Sequence, residues 1–276
     1  MRKMEAIRLH KLAPFLPVVK LTAILSLLLF YLIGTYGITI KRVKIRSVKV
    51  NNEVNIVQLT DLHGASFYKD NDVLYSHIES LDPDFIVITG DMYTKGDEAA
   101  ECRVIRLIER LSGICAVFIV NGEHDDPDTY RLMESSHIEF LDYESKLITV
   151  DRTVIRLYGI TNVYFSDTFD LRNAFLLDDN HYTILLAHIP NIDAYFRFGT
   201  DLTICGDTHG GMIRFPLLGA IYNKECLFPE LDGRPLKGIA ECGNSKVFIS
   251  SGLGNYPIPM RLFNSPEIVF ITLIPE

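Results

Sequence analysis

The sequence predicts an α/β chain in which a layered, largely parallel sheet follows one apolar N-terminal helix. Three observations lead there. Strand-like and helix-like segments alternate from Val54 to Val120. Apolar runs repeatedly end in Asp, His or Glu beside glycine, as strands do when they deliver polar groups to one edge of a sheet. Residues 21 to 40 carry no charge.

The uncharged stretch, Leu21 to Ile40, is long enough as a helix to cross a hydrocarbon core of about 30 Å. It is read as a single transmembrane anchor behind a basic segment, residues 1–20. The alternatives are a cleaved signal peptide and a buried helix; no small-x-small cleavage site follows the apolar run, which favours the uncleaved anchor. Arg2, Lys3, Arg8, Lys11 and Lys20 precede it and Lys41, Arg42, Lys44, Arg46 and Lys49 follow it, so positive charge does not choose an orientation. The second cluster alternates with Val43 and Ile45, the pattern of an edge strand with a solvated face. Val54 onward is a buried strand. Asn71 to Leu81 and Glu98 to Leu111 have helical apolar spacing, and Asp97 is placed to cap the second. Phe85 to Thr89, Ala116 to Val120 and Leu202 to Cys205 are further strands. After Ile138 the runs shorten: Leu147 to Val150 and Thr153 to Tyr158 form a hairpin around Asp151-Arg152, and Tyr182 to Ala187 leads to His188. Lys246 to Ser250 and Glu267 to Leu273 close the chain as strands. Without repeats or a Ser/Gly-rich linker, residues 41–276 read as one domain.

Charge narrows the partners. Residues 41–276 carry 22 Lys and Arg against 34 Asp and Glu, a balance that excludes holding long nucleic acid by phosphate neutralisation alone. Bound cations are better attractors for an anionic substrate. The five cysteines include no Cys-x-x-Cys pair. Cys102, Cys115 and Cys205 fall in apolar segments and are expected in the core, whereas Cys226 and Cys242 could pair in an oxidising compartment.

Asp61 and His63 stand two apart after the first buried run, so in an extended segment both would face one ion. Gly90-Asp91, Gly122-Glu123-His124-Asp125, His188 and Gly206-Asp207-Thr208-His209-Gly210-Gly211 follow, each after a strand-like run. Any one of these is compatible with a turn or a satisfied polar group; the ordered series is the signal. His10, His77, His137 and His181 lack such company and read as structural or surface residues.

This ordered series resembles the calcineurin-like metallophosphoesterases over about residues 45 to 276. The tail, Ser250-Ser251-Gly252-Leu253-Gly254 through Pro257, Pro259, Arg261 and Asn264-Ser265-Pro266-Glu267-Ile268, is similar to that of the membrane-anchored or exported bacterial subgroup. The resemblance implies a four-layer α-β-β-α sandwich with a two-metal site. Asp61, His63, Asp91 and His209 would hold one ion, and Asp91 would bridge to a second, shared with His188. Metal-activated hydroxide would attack phosphorus, His124 would protonate the leaving oxygen, and Asp125 would orient His124.

Two positions depart from the pattern: Glu123 stands where the family has Asn, and Asp207 where it has His. Both can still ligate, and the more anionic ligand set of the second ion favours Mn²⁺, with Mg²⁺, Fe or Zn²⁺ as other candidates. Glu123 cannot donate a hydrogen bond to phosphate, so Arg261 is taken as a candidate substrate contact. The expected activity is hydrolysis of a phosphodiester, pyrophosphate or phosphomonoester, with a lipid-linked or cell-envelope substrate suggested by the anchor and an extracytoplasmic domain by the subgroup. The alternative is a catalytically weak or inactive membrane-tethered domain that binds metal or phosphate.

Overall fold

A computed structural model describes residues 16–161, 164–166, 168–223, 226–257 and 259–276. Most of the basic N-terminal segment, with Arg2, Lys3, Arg8 and Lys11, lies outside them. Helix α1 (Leu16–Tyr36) precedes strand β1 (Thr39–Ser47). The helix thus starts and stops earlier than the uncharged run: Lys20 is inside it, and Thr39 and Ile40 already belong to β1. Its end is set by Gly37, whose amide closes onto Ile33 O, and by the β-branched residues that pair in parallel with β14 (Glu267–Pro275).

Strands β2 (Val54–Leu59), β3 (Phe85–Thr89), β4 (Ala116–Val120) and β5 (Ile138–Phe140) are joined through α2 (Asp72–Glu79), α3 (Glu98–Ser112) and α4 (Pro127–Leu132). They complete a six-stranded sheet ordered β1-β14-β2-β3-β4-β5, parallel from β2 to β5 as helical crossovers require. Asp97 caps α3 by accepting from Ala100 N at 3.0 Å. β1 is the edge strand the sequence predicts, with Val43 and Ile45 buried and Lys41, Arg42, Lys44 and Arg46 exposed.

The second sheet contains β6 (Glu144–Val150), β7 (Thr153–Gly159), β8 (Tyr182–Leu186), β9 (Leu202–Cys205), β12 (Gly238–Cys242) and β13 (Ser245–Ile249), ordered β12-β13-β9-β8-β7-β6. β6 and β7 form the expected hairpin, β7, β8, β9 and β13 run parallel, and α5 (Ile192–Phe198) connects β8 to β9. A small hairpin, β10 (Arg214–Phe215) and β11 (Gly219–Ala220), stands apart. One apolar core joins Val43, Ile56, Val87 and Ile271 of the first sheet to Ile155, Ile184, Ile204 and Phe248 of the second. Another packs the opposite side of the first sheet on Leu74, Val104 and Ile108 of α2 and α3, and a third packs the second sheet on Ala194 and Phe198 of α5. The cores therefore stack helices, sheet, sheet and helix.

Helix α1 is mostly exposed apolar surface, but its C-terminal end is fastened to the tail loop. Tyr31 donates to Pro259 O at 2.8 Å, Asn255 Nδ2 to Thr35 O at 3.0 Å, and Arg261 N to Thr35 Oγ1 at 3.2 Å. Phe30 meets Phe263 edge-on at 5.1 Å. All five cysteines are free; Cys226 and Cys242 do not pair, and Cys102 faces solvent on the outer side of α3 instead of the core.

Candidate metal centre

The central strands of both sheets end at one edge, and their following loops hold the candidate residues. Asp61 and His63 follow β2, Asp91 follows β3, Glu123 to Asp125 follow β4, His188 follows β8, and Asp207 and His209 follow β9. The local geometry differs from the extended segment expected for Asp61 and His63. β2 stops at Leu59, and Asp61 and His63 are left-handed, with φ of 53° and 47°. Asp91, Asp207 and His209 share that rare conformation. Side chains are thus aimed by turns, held because Asp61 N and His63 N donate to Gly90 O and Asp91 O at 3.0 and 2.9 Å.

Asp61, His63 and His209 converge in one group with ligand atoms within 4.8 Å of one another; Asp61, Asp91 and His188 form a second, and Glu123, His188 and Asp207 a third. Asp91 Oδ2 is central, 3.6 Å from His63 Nε2, 3.3 Å from His188 Nε2 and 3.9 Å from His124 Nε2. His188 Nε2 is also 3.5 Å from Glu123 Oε2. The Nε2 atoms of His63 and His209 stand 3.1 Å apart. Thr89 O lies 2.7 Å from His188 Nδ1; a carbonyl only accepts, so Nδ1 carries the proton and Nε2 is turned to the carboxylates.

These residues fit divalent cations on the chemistry of the donors. Burial, reinforced by Asp91 and Asp207, pushes the Asp61 carboxyl up to about 7 against the pull of His188. Burial lowers His63 to about 4, favouring the neutral imidazole a metal requires. His188 is pushed down by burial yet held well above its usual value by Asp91, Asp61 and Asp207. Its Nε2 is buried without a hydrogen bond. Burial raises Asp91 as well, but His188, the His124 amide and His63 outweigh it and bring it down to about 2, so the site crowds an ionised Asp91 beside a protonated Asp61, an arrangement that bound positive charge would relieve.

Comparison with known proteins agrees with this geometry. Residues 54–212, more than half of the chain, match the calcineurin-like phosphoesterase family. The chain belongs to the calcineurin-like phosphoesterases. It is accordingly a metal-dependent phosphoester hydrolase. It is similar to the Bacillus subtilis metallophosphoesterase YkuE (26% identity, covering 79% of this chain and 78% of that one). A Bos taurus transmembrane protein with a metallophosphoesterase domain is 30% identical over 80% of this chain and 53% of its own. Escherichia coli phosphodiesterase YaeI is 26% identical, over 79% and 82%.

Within this calcineurin-like site, two expected roles are corrected. Asp125 was expected to orient the His124 imidazole, but both its oxygens are taken by backbone: Oδ2 accepts from Asp91 N and Gly122 N at 2.7 and 3.0 Å, and Oδ1 from Met92 N and Tyr93 N at 2.9 and 3.2 Å. It ties the loops after β3 and β4 together. Arg261, expected to meet substrate, is fully buried. Its guanidinium donates to Gly254 O at 2.6 Å, Ser251 O at 2.8 Å, Asn264 O at 3.3 Å and Asn255 Oδ1 at 3.2 Å, so it braces the tail loop from inside.

His124 stays at the rim, its side chain partly exposed and its amide bonded to Asp91 Oδ1 at 2.9 Å. The tail loop also brings Tyr256, which sequence reasoning missed: its ring stacks on His63 at 4.5 Å and meets His124 edge-on at 4.9 Å. A tyrosine in a Gly/Pro-rich loop carries no spacing signal that would single it out. A methyl group on Gly206 would strike Thr60 Oγ1 and Asp61 Oδ2, which explains glycine before Asp207.

Proposed function

We propose that the chain is a membrane-anchored, divalent-metal-dependent phosphoesterase that hydrolyses a phosphodiester, pyrophosphate or phosphomonoester. The observation that carries this reading is the position of Asp91 Oδ2, 3.6 Å from His63 Nε2 and 3.3 Å from His188 Nε2, between the Asp61, His63 and His209 group and the Glu123, His188 and Asp207 group. Asp61, His63, Asp91 and His209 would hold one cation, and Asp91, Glu123, His188 and Asp207 the other. Bound cations supply Lewis acidity at a phosphoryl oxygen and activation of water.

The chain's own residues do the rest. Asp125 fixes the Asp91 loop through four backbone amides, and Thr89 O sets the His188 tautomer. His124, on the exposed rim 3.9 Å from Asp91, is positioned to give a proton to the leaving oxygen. Four carboxylates among seven ligands favour Mn²⁺ or Mg²⁺ over Zn²⁺. Helix α1 is long and apolar enough to cross a bilayer, and a relative named as a transmembrane protein supports the anchor. The tail's similarity to the exported subgroup supports an extracytoplasmic domain, facing lipid-linked or cell-envelope phosphates.

The test is hydrolysis of a chromogenic phosphodiester and its monoester by the full chain, stripped of metal and reloaded with Mn²⁺. Activity should return with the metal and fall about 10²- to 10⁴-fold in His124→Ala. Metal analysis should find two ions per chain. Folded, Mn²⁺-loaded protein with well under two ions would overturn the two-metal form, and unchanged turnover in His124→Ala would overturn its role as acid.

A further inference from the structure

Beside the metal-competent cluster lies a cavity of about 410 Å³ whose walls are mainly apolar: Met212, Ile213, Ile221, Tyr222, Leu236 and Pro257. Asp207 and His209 form its inner wall, and Tyr256 links it to His63. None of the catalytic roles above uses this space. Apolar side chains also lie beyond it, on either side of the Arg214–Glu230 ion pair. Ile213 bridges Leu262, and Arg214 N donates to Leu262 O at 2.9 Å, which sets β10 alongside the tail loop. From there exposed Phe215, Leu217 and Leu218 run along the β10–β11 turn, and exposed Phe263 on the other side meets Phe30 of α1. Exposed apolar side chains thus lie on both sides of the cavity, interrupted at β10 by the Arg214–Glu230 ion pair, and the cavity itself ends at Asp207 and His209, two of the metal-competent residues.

We propose that this cavity is a subsite for the hydrocarbon chain of an amphipathic phosphate ester, whose phosphate lies at the metal cluster while its chain occupies the space between Ile221, Tyr222 and Leu236. The inference rests on the phosphoesterase reading and narrows it to substrates drawn from a lipid phase. A small polar ester would leave the apolar walls wet; a hydrocarbon chain buries them, and each methylene removed from water adds about a fourfold gain in affinity. The exposed turn and Phe263 then offer such a chain apolar contacts between the bilayer and the site.

The experiment uses the full chain in lipid nanodiscs, loaded with Mn²⁺, and titrates it calorimetrically with alkylphosphonates of two to eight carbons. Wild-type affinity should rise roughly fourfold per methylene until the cavity is full. Ile221→Asp and Tyr222→Asp, in identical nanodiscs, should flatten that rise; Tyr222 is exposed, so its variant tests the subsite without disturbing the core. Affinity independent of chain length overturns the subsite, and so does an equal rise in both variants, which would locate the chain in the bilayer. Binding of every phosphonate with a flat series leaves the phosphoesterase reading standing and removes this one. Failure to bind even the shortest, together with absence of hydrolysis, overturns both.

Discussion

Arg261 shows how far a residue's chemistry depends on what surrounds it. A guanidinium is a natural phosphate ligand, but this one is buried and donates to carbonyls of the tail loop. Arg261→Ala should therefore destabilise the fold by about 3 kcal/mol by leaving carbonyls unpaired, seen as a lowered thermal midpoint, and Lys should rescue it poorly. Asp178 provides a pH-dependent counterpart. Burial raises its carboxyl, but the His181 imidazole at 2.8 Å and the amides of Asn180 and His181 bring it down to about 2. Its folded value lies below the unfolded one of about 3.9, so its stabilisation is present above pH of about 4 and fades towards pH 2. The stability gap between wild type and Asp178→Asn should accordingly close on acidification through that window. Asp61, His63, Asp91, His188 and His209 were legible as candidate ligands because residue type and order are sequence properties. The partners of Arg261 and Asp125 were not, since those are backbone groups that only the folded loops bring close.

At the scale of elements, most strands and both long helices were legible because apolar period and turn residues report them locally. Asp97 illustrates this, and Asp97→Ala should cost about 1 kcal/mol of stability by uncapping α3. The strand ends were less legible. Alternation along an extended run put Asp61 and His63 on one side, but β2 stops before either, and left-handed turns aim them instead. Such conformations depend on cross-loop hydrogen bonds that no single stretch reveals. Close packing beneath these turns makes a further expectation: Gly206→Ala should displace Asp61 and weaken metal binding roughly 10- to 100-fold, measured by Mn²⁺ titration, with circular dichroism unchanged.

For the whole molecule, two sheets present their parallel strand ends at one edge, which explains why motifs spread from residue 61 to residue 209 meet. The order of the motifs was enough to anticipate their meeting; the start of the domain was not, because apolar β1 residues continue the apolar helix without a break in composition. If the domain faces outward, exposed Cys242 should react in intact cells with a membrane-impermeant maleimide, and labelling only after lysis would place it inside. Only Gly37 and Ile38 separate α1 from β1, and Thr35 is bonded directly to the loop that carries Tyr256. An enzyme built this way has no leash. In a bilayer its catalytic edge would sweep a thin slab at fixed height instead of a volume, so turnover of a bilayer-borne phosphoester, if that is the substrate, should follow its surface density, whereas a soluble one would follow bulk concentration.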